Sequence, residues 1–160
     1  MKTLLAIIFT LLFIAWGVAM TFNSIMFNRG CGGYLKRAAD ANTTKLATEN
    51  LEIAVKYAKD NGLTSGYTSI VYRTPDEDVG FWYDNLKESL KELQSTSPDA
   101  SRLEKTNALM KLRETLLDSG QSTSVTAPAG ISRYPHNGFL ALWGWLSFIL
   151  AIIFWLGATV

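Results

Sequence analysis

The stretch TLLAIIFTLLFIAWGVAMTF, from Thr3 to Phe22, decides the fold of this chain. It has no charged residue, and about 20 apolar residues in a helix cross the roughly 30 Å of bilayer hydrocarbon. A second run, GFLALWGWLSFILAIIFWLGATV, covers residues 138–160 and is equally free of charge. Only helices and closed barrels satisfy every backbone polar group in lipid. The sequence therefore predicts two transmembrane helices, over residues 1–28 and 138–160.

A cleaved signal peptide is the alternative for the first segment. Lys2 supplies a basic start, and Gly17 and Ala19 give a weak small-residue cleavage pattern. The apolar run is longer than the 7–15 residues of a typical signal core, and it continues to Phe27. These features favour an uncleaved anchor.

Charge is confined to the part of the chain between the two apolar runs. Lys2 is the only charged residue outside it, which leaves 14 basic and 14 acidic residues in a neutral middle region. A neutral, mixed region lacks the basic patch that nucleic acid requires, so we expect no nucleic-acid partner. Cys31 is the single cysteine, and an intrachain disulfide is excluded.

The middle region carries helical patterns separated by strong break signals. Three glycines in residues 29–33 predict a hinge at the membrane exit. Apolar spacing from Tyr34 to Asn61 predicts one helix about 42 Å long, ended by Gly62 and Leu63. Residues 63–73 are β-forming rather than helical, and a short extended piece is expected there.

Two further helices follow in the pattern. Thr74, Pro75 and Glu77 form a capping-box start for the second helix, which fades at residues 94–96. The third helix starts either at residues 97–99 or one turn later, where Ser101 and Glu104 form a competing capping box. It is expected to run to Asp118 and to stop at Gly120.

These elements predict an all-α membrane protein. We expect two transmembrane helices flanking a three-helix up-down-up bundle over residues 34–120, with an extended return segment over residues 121–137. The return segment follows from length, because residues 119–137 extended span about 60 Å and reach back to the membrane.

An aromatic group beside the second helix is the best ligand-site candidate in the sequence. Four side chains would line a site at the distal tip of the bundle, with the arginine holding an anion: Tyr67, Tyr72, Arg73 and Trp82. The alternative is that these residues form the core of the tip. A connection of this length between helices is unusual unless it has a role or is tied down.

The two apolar runs contain residues suited to interfaces and to close packing. Trp prefers membrane interfaces, and small residues allow helices to approach. The predicted interface and packing residues are Trp16, Gly17, Trp143, Gly144, Trp145 and Trp155. Neither run contains an ionisable group after Lys2, which argues against an ion pathway within one chain.

No catalytic or metal-binding set can be assembled. The carboxylates of residues 76–78 suit a helix first turn better than a cation site. His136 is the only histidine, so a zinc site, a nucleophile with a base, and a bound cofactor are not expected. Cys31 is either a reactive or acylated thiol near the membrane or an inert one. We expect no enzyme activity and no cofactor.

The order of anchor, helical domain and anchor is similar in outline to the sensory half of bacterial chemoreceptors. The resemblance is architectural, and the sequence shows no signalling region, so a complete receptor is not expected. We expect a non-catalytic accessory subunit of a larger membrane complex or a homo-oligomer, with the bilayer and a membrane protein as partners. A ligand-binding sensor and a lysis-type membrane oligomer are the alternatives.

Sidedness is read from opposing signals. The basic residues of the middle region favour a cytoplasmic domain by the positive-inside rule. The short Met-Lys start favours a bacterial inner-membrane anchor with residues 29–137 outside the cytoplasm, and this is the orientation we expect.

Overall fold

The computed structural model describes residues 1–97, 99–117 and 124–159, and it is all-helical, with 76% helix. There is no strand in the described part of the chain. Five helices follow one another: α1 (Lys2–Ala39), α2 (Thr44–Asp60), α3 (Val79–Ser95), α4 (Arg102–Leu116) and α5 (Asn137–Thr159). Short 3₁₀ turns cover Pro75–Glu77 and Ile131–Arg133.

Helix α1 runs without a break through the glycine-rich segment. Residues Asn28–Gly32 form a π-helical turn between the regular parts of α1, and Asn28 and Gly33 keep right-handed helical dihedrals. The predicted hinge at residues 29–33 is therefore wrong. The physical reason is packing, because a Cβ at Gly30 would lie 2.1 Å from the ring of Tyr57.

The predicted single helix from Tyr34 to Asn61 is two helices. α1 ends at Ala39, Asp40 leaves the helical region with ψ of 2°, and Thr43 is extended. The Thr43 hydroxyl accepts a hydrogen bond from the Leu46 backbone N–H at 3.3 Å, which caps α2. The predicted C-terminus is confirmed, because Gly62 has a φ of 71° and the Leu63 N–H donates to the Ala58 carbonyl at 2.8 Å.

The break also changes which face of α2 is buried. The buried side chains are Ala47, Asn50, Leu51, Ala54 and Ala58, whereas Leu46 and Ile53, which the apolar spacing from Tyr34 to Asn61 predicts on the inner face together with Asn50, are exposed.

The starts of α3 and α4 are set by single capping side chains. Thr74 donates its hydroxyl hydrogen to the Glu77 carboxylate at 2.7 Å, but neither side chain accepts from a backbone N–H of the described residues, and only the 3₁₀ turn Pro75–Glu77 begins here. Asp78 caps α3 instead, accepting from the backbone N–H groups of Gly80 and Phe81. Ser101 caps α4 by accepting from the Glu104 N–H at 3.2 Å, so the later of the two predicted starts is the observed one.

Consecutive helices from α1 to α4 run antiparallel. Cys31 and Phe27 of α1 contact Ala54 and Tyr57 of α2 in reverse order. The start of α3 lies beside residues 64–66, just after α2, and Gln94 near its end bonds Glu52 at 2.8 Å. Side chains at residues 82–86 of α3 share a cleft with residue 115 of α4. Because α2 already turns back, the helical order differs from the predicted up-down-up order with an extended return.

The described part of the connection between α4 and α5, residue 117 and residues 124–136, contains no α-helix. The Thr126 N–H donates to the Leu116 carbonyl at 2.8 Å, and the 3₁₀ turn at Ile131–Arg133 then leads into α5. The predicted helix end at Asp118, the stop at Gly120 and residues 121–123 of the predicted connector lie outside the described residues.

Helices α1 and α5 form an antiparallel pair, called the apolar pair below. Phe9 stacks on Phe154 at 5.6 Å, Phe13 packs on Phe148 at 5.3 Å, and Trp16 reaches Leu140. The end of the helical domain that adjoins the start of α5 is the near end, and the opposite end is the far end.

Candidate functional site

Small residues on α5 form the inner face of the apolar pair. The buried residues of α5 are Leu140, Gly144, Ser147 and Ala151, spaced by four, three and four. This spacing keeps one stripe of the helix against its neighbour. The Ser147 hydroxyl donates to the Trp143 carbonyl of its own helix at 2.7 Å, so its polarity is satisfied within α5.

The outer faces of the apolar pair are apolar and uncovered. In the most apolar 18-residue windows, only 6% of α1 and 22% of α5 is buried, whereas the core helix of a soluble protein is mostly buried. Exposed large side chains recur every seven residues on both helices, at Leu4, Leu11, Val18 and Ile25 of α1 and at Leu142, Ile149 and Leu156 of α5. Both helices are long and apolar enough to cross a membrane.

The residues predicted to pack or to face the interface have different environments. Trp16 donates its indole N–H to the Leu140 carbonyl at 2.7 Å, and its ring covers Gly144 so closely that a Cβ there would lie 2.5 Å from it. Gly17 has nothing within 4 Å of a Cβ, so no close contact requires a glycine there. Trp155 donates to the Thr10 hydroxyl at 3.1 Å.

The two remaining tryptophans also belong to α5. Trp143 packs beside Phe139 of its own helix, with the ring centroids 6.0 Å apart. Trp145 is exposed.

The loop after α2 contacts the segment that leads into α5. Tyr134 donates its hydroxyl hydrogen to the Ser65 carbonyl, and the Asn137 amide donates to the Thr68 carbonyl at 2.8 Å. Asn137 is the first residue of α5. Residues 65–68 therefore lie at the near end of the helical domain, and not at the predicted distal tip.

The four residues of the predicted ligand site lie in different settings. Trp82 is 6% exposed, and its indole N–H donates to the Thr126 carbonyl at 3.1 Å. Arg73 places its guanidinium over the Tyr67 ring, 5.9 Å from the centroid, while Tyr72 is 75% exposed. A cleft of about 380 Å³ lies beside Trp82, between Pro75, Asp78 and Phe81 on one side and residues 126–129 on the other. Tyr67, Tyr72 and Arg73 are not among its lining residues.

Cys31 and Asp78, two side chains with reactive groups, are engaged in contacts that stabilise the fold. Cys31 is fully buried and directs its thiol to the Ala54 carbonyl at 3.8 Å, and burial raises the pKa of the Cys31 thiol to about 12. A thiol with so high a pKa is a poor nucleophile at neutral pH. Asp78 serves as a helix cap. Within the described ranges, no three His, Cys, Asp or Glu side chains are grouped to hold a metal ion.

Sequence reasoning missed a groove between the two apolar helices. It encloses about 330 Å³ and is lined by Phe13, Trp16, Ala141, Gly144, Trp145 and Phe148, with Arg133 at its edge. Arg133 is one of the basic residues of the middle region, which were used above to predict the sidedness of the domain. Its signal was its position four residues before an uncharged helix, which brings its guanidinium to the edge of the apolar pair.

Comparison with protein-family models finds no match, and comparisons with curated proteins and with solved structures find no similar chain.

Proposed function

We propose that this chain is a non-catalytic two-span membrane protein whose helical domain associates with other protein. The uncovered apolar faces of α1 and α5 carry the membrane part of this proposal, because leaving such faces in water is unfavourable by about 25 cal/mol per Å². Lipid removes that cost without any partner protein.

The length of the apolar pair supports insertion as a hairpin. Contacts run from Lys2 beside Gly157 to Trp16 beside Leu140, so the paired part covers 15 residues of α1 and 18 residues of α5. At about 1.5 Å per residue this is about 23–27 Å, slightly less than the roughly 30 Å of bilayer hydrocarbon. Beyond the paired part, Asn23, Met26 and Phe27 line a cleft together with residues 131–136. We therefore place the first span at about residues 2–20, which is shorter than the predicted 1–28.

The association part of the proposal is supported by helix α4. Only Leu112 and Leu116 of its 15 residues are buried, whereas Leu103 and Met110 are 71% and 56% exposed. These two exposed side chains are seven residues apart and thus share one helix face. Paired exposed apolar residues on a lightly packed helix suit contact with another polypeptide. The partner is a second copy or a subunit of a larger membrane complex, in a bacterial inner membrane with residues 29–137 outside the cytoplasm.

The experiment combines membrane extraction with cross-linking of the full chain. Washed membranes are treated with alkaline carbonate, and the retained fraction is cross-linked with an amine-reactive reagent. The protein should stay with the membrane and give a discrete higher band. The double substitution Leu103→Lys/Met110→Lys should remove that band, while Leu46→Lys/Ile53→Lys on the exposed face of α2 should keep it. Carbonate release would refute the membrane part, and equal bands in both variants would refute the assigned face.

A further inference from the structure

We propose that the groove between α1 and α5 binds an anionic phospholipid, with its phosphate on Arg133 and one acyl chain along the groove. This inference rests on the proposed membrane insertion of the apolar pair. The membrane insertion requires only contact with bulk lipid, whereas this inference is that one class of lipid binds at one site.

The groove exists because Gly144 lets Trp16 lie flat on α5. The Trp16 indole is fixed by its bond to the Leu140 carbonyl at 2.7 Å, and Phe13 stacks on its ring at 5.3 Å. Ala141 and Gly144 give the α5 side of the groove two small residues, and the rings of Trp145 and Phe148 complete that side. A volume of about 330 Å³ lies within the range of small-ligand pockets, roughly 300 to 1,000 Å³.

The lining is apolar and the edge is cationic, which is the polarity of a lipid. Apart from the Trp16 indole, whose hydrogen bond is already made, the side chains inside the groove are apolar or the Trp145 ring. Arg133 is half-buried, and no carboxylate of the described residues lies within ion-pairing distance of it. A guanidinium in this position can bind a phosphate through two hydrogen bonds. A headgroup with a net negative charge has no cation of its own that would compete with Arg133 for the phosphate.

The position of Arg133 matches the depth of a headgroup. Arg133 lies four residues before Asn137, where α5 begins, and the groove residues lie one to three turns farther along α5. A phosphate on Arg133 therefore places its acyl chain beside Ala141, Trp145 and Phe148, within the proposed hydrocarbon region. Basic side chains at this boundary are a recognised means of binding anionic headgroups.

The test uses the full chain in mild detergent, with palmitoyl-oleoyl phosphatidylglycerol and the matching phosphatidylcholine as competing probes in native mass spectrometry. We expect the protein to retain one phosphatidylglycerol with about fivefold to tenfold preference. Arg133→Gln should abolish the preference, whereas Arg29→Gln, which removes an exposed charge from the same end of the apolar pair, should keep it. Ala141→Phe should fill the groove and reduce retention of both lipids.

Several results would overturn the lipid site. Equal retention of the two lipids by the unaltered chain would do so, as would equal loss with Arg29→Gln and Arg133→Gln. Displacement of the lipid by inorganic phosphate would show an anion site without an acyl groove. Flotation with pure phosphatidylcholine vesicles separates the two proposals. A chain that floats without lipid preference refutes only the lipid site, and a chain that does not float refutes the membrane insertion.

Discussion

Replacing Gly30 by alanine should destabilise the fold through one contact, between α1 and the ring of Tyr57. A Cβ at residue 30 would lie 2.1 Å from Cε2 and 2.2 Å from Cδ2 of that ring. Carbon atoms pack at about 3.5–4.0 Å, so the ring must move by about 1.5 Å. Overpacking of this kind costs about 1–3 kcal/mol, and the higher helix propensity of alanine offsets about 1 kcal/mol of it.

A double-mutant cycle isolates the contact from the propensity effect. The full chain in detergent is unfolded with denaturant and followed by far-UV circular dichroism, for Gly30→Ala, Tyr57→Ala and the double variant. We expect Gly30→Ala to lower the free energy of unfolding in the native background and to raise it by up to about 1 kcal/mol when Tyr57 is alanine. The coupling energy should be about 1–3 kcal/mol.

Gly17→Ala is the matched control, because it is the same substitution in the same helix with nothing within 4 Å. It should be neutral or slightly stabilising. The reasoning is refuted if Gly30→Ala and Gly17→Ala behave alike, or if the effect of Gly30→Ala is the same with and without the Tyr57 ring.

Three other predictions concern the helical domain. Thr43→Ala removes the α2 cap and should lower the free energy of unfolding by about 1 kcal/mol. Thr115→Ala removes only a hydroxyl that bonds the Lys111 carbonyl of its own helix, and it should change the free energy of unfolding by less than about 0.5 kcal/mol in the same denaturation assay. Burial raises the pKa of the Cys31 thiol from 9.0 to about 12, so at pH 8 it should react with a disulfide reagent at least about a thousandfold more slowly in the folded chain than in the unfolded chain. The free energy of unfolding should fall as the pH rises from about 9 to 12, because the thiol ionises first in the unfolded chain. Rapid labelling of Cys31 in the folded protein would contradict this prediction. Lys111→Ala breaks an exposed ion pair with Glu92 and should lower the free energy of unfolding by less than about 1 kcal/mol, and the decrease should be smaller in high salt. A larger loss of stability in thermal melting would contradict the exposed setting of this pair.

The two apolar helices and one helix end were readable from sequence because their signals are local. An uncharged run of this length has few structural options, and Gly62 followed by Leu63 is a specific helix stop. The Ser101 cap of α4 was one of the two predicted starts. For α3, the sequence predicted Thr74 as the cap and placed Asp78 in the first turn, whereas Asp78 is the cap and the helix begins at Val79.

The errors arose where tertiary contacts override local preference. Glycines at residues 30, 32 and 33 favour a break in isolation, but the close approach of Tyr57 makes a glycine necessary within a continuous helix. The turn at residues 40–43 has only Thr43 as a cap, and the alanine-rich sequence around it reads as helix. That one turn reverses α2, and it brings the Tyr67–Arg73 loop to the near end instead of the far end.

The groove at Arg133 could not have been predicted from either helix alone. Its walls come from residues 13 and 16 of α1 and from residues 141–148 of α5, more than 120 positions apart in the chain. The groove depends on how α1 and α5 are aligned along each other, and the spacing of apolar residues within each helix does not determine that alignment.

The central claim is that α1 and α5 cross the bilayer as a hairpin with the helical domain on one side. The most direct measurement labels single cysteines in sealed membrane vesicles of known orientation with a membrane-impermeant maleimide, in a Cys31→Ser background. Ser95→Cys reports the exposed end of α3 and Thr159→Cys reports the end of α5. We predict that the reagent added outside labels one of the two, and that inverting the vesicles exchanges them. Labelling of both positions from the same side would contradict the account.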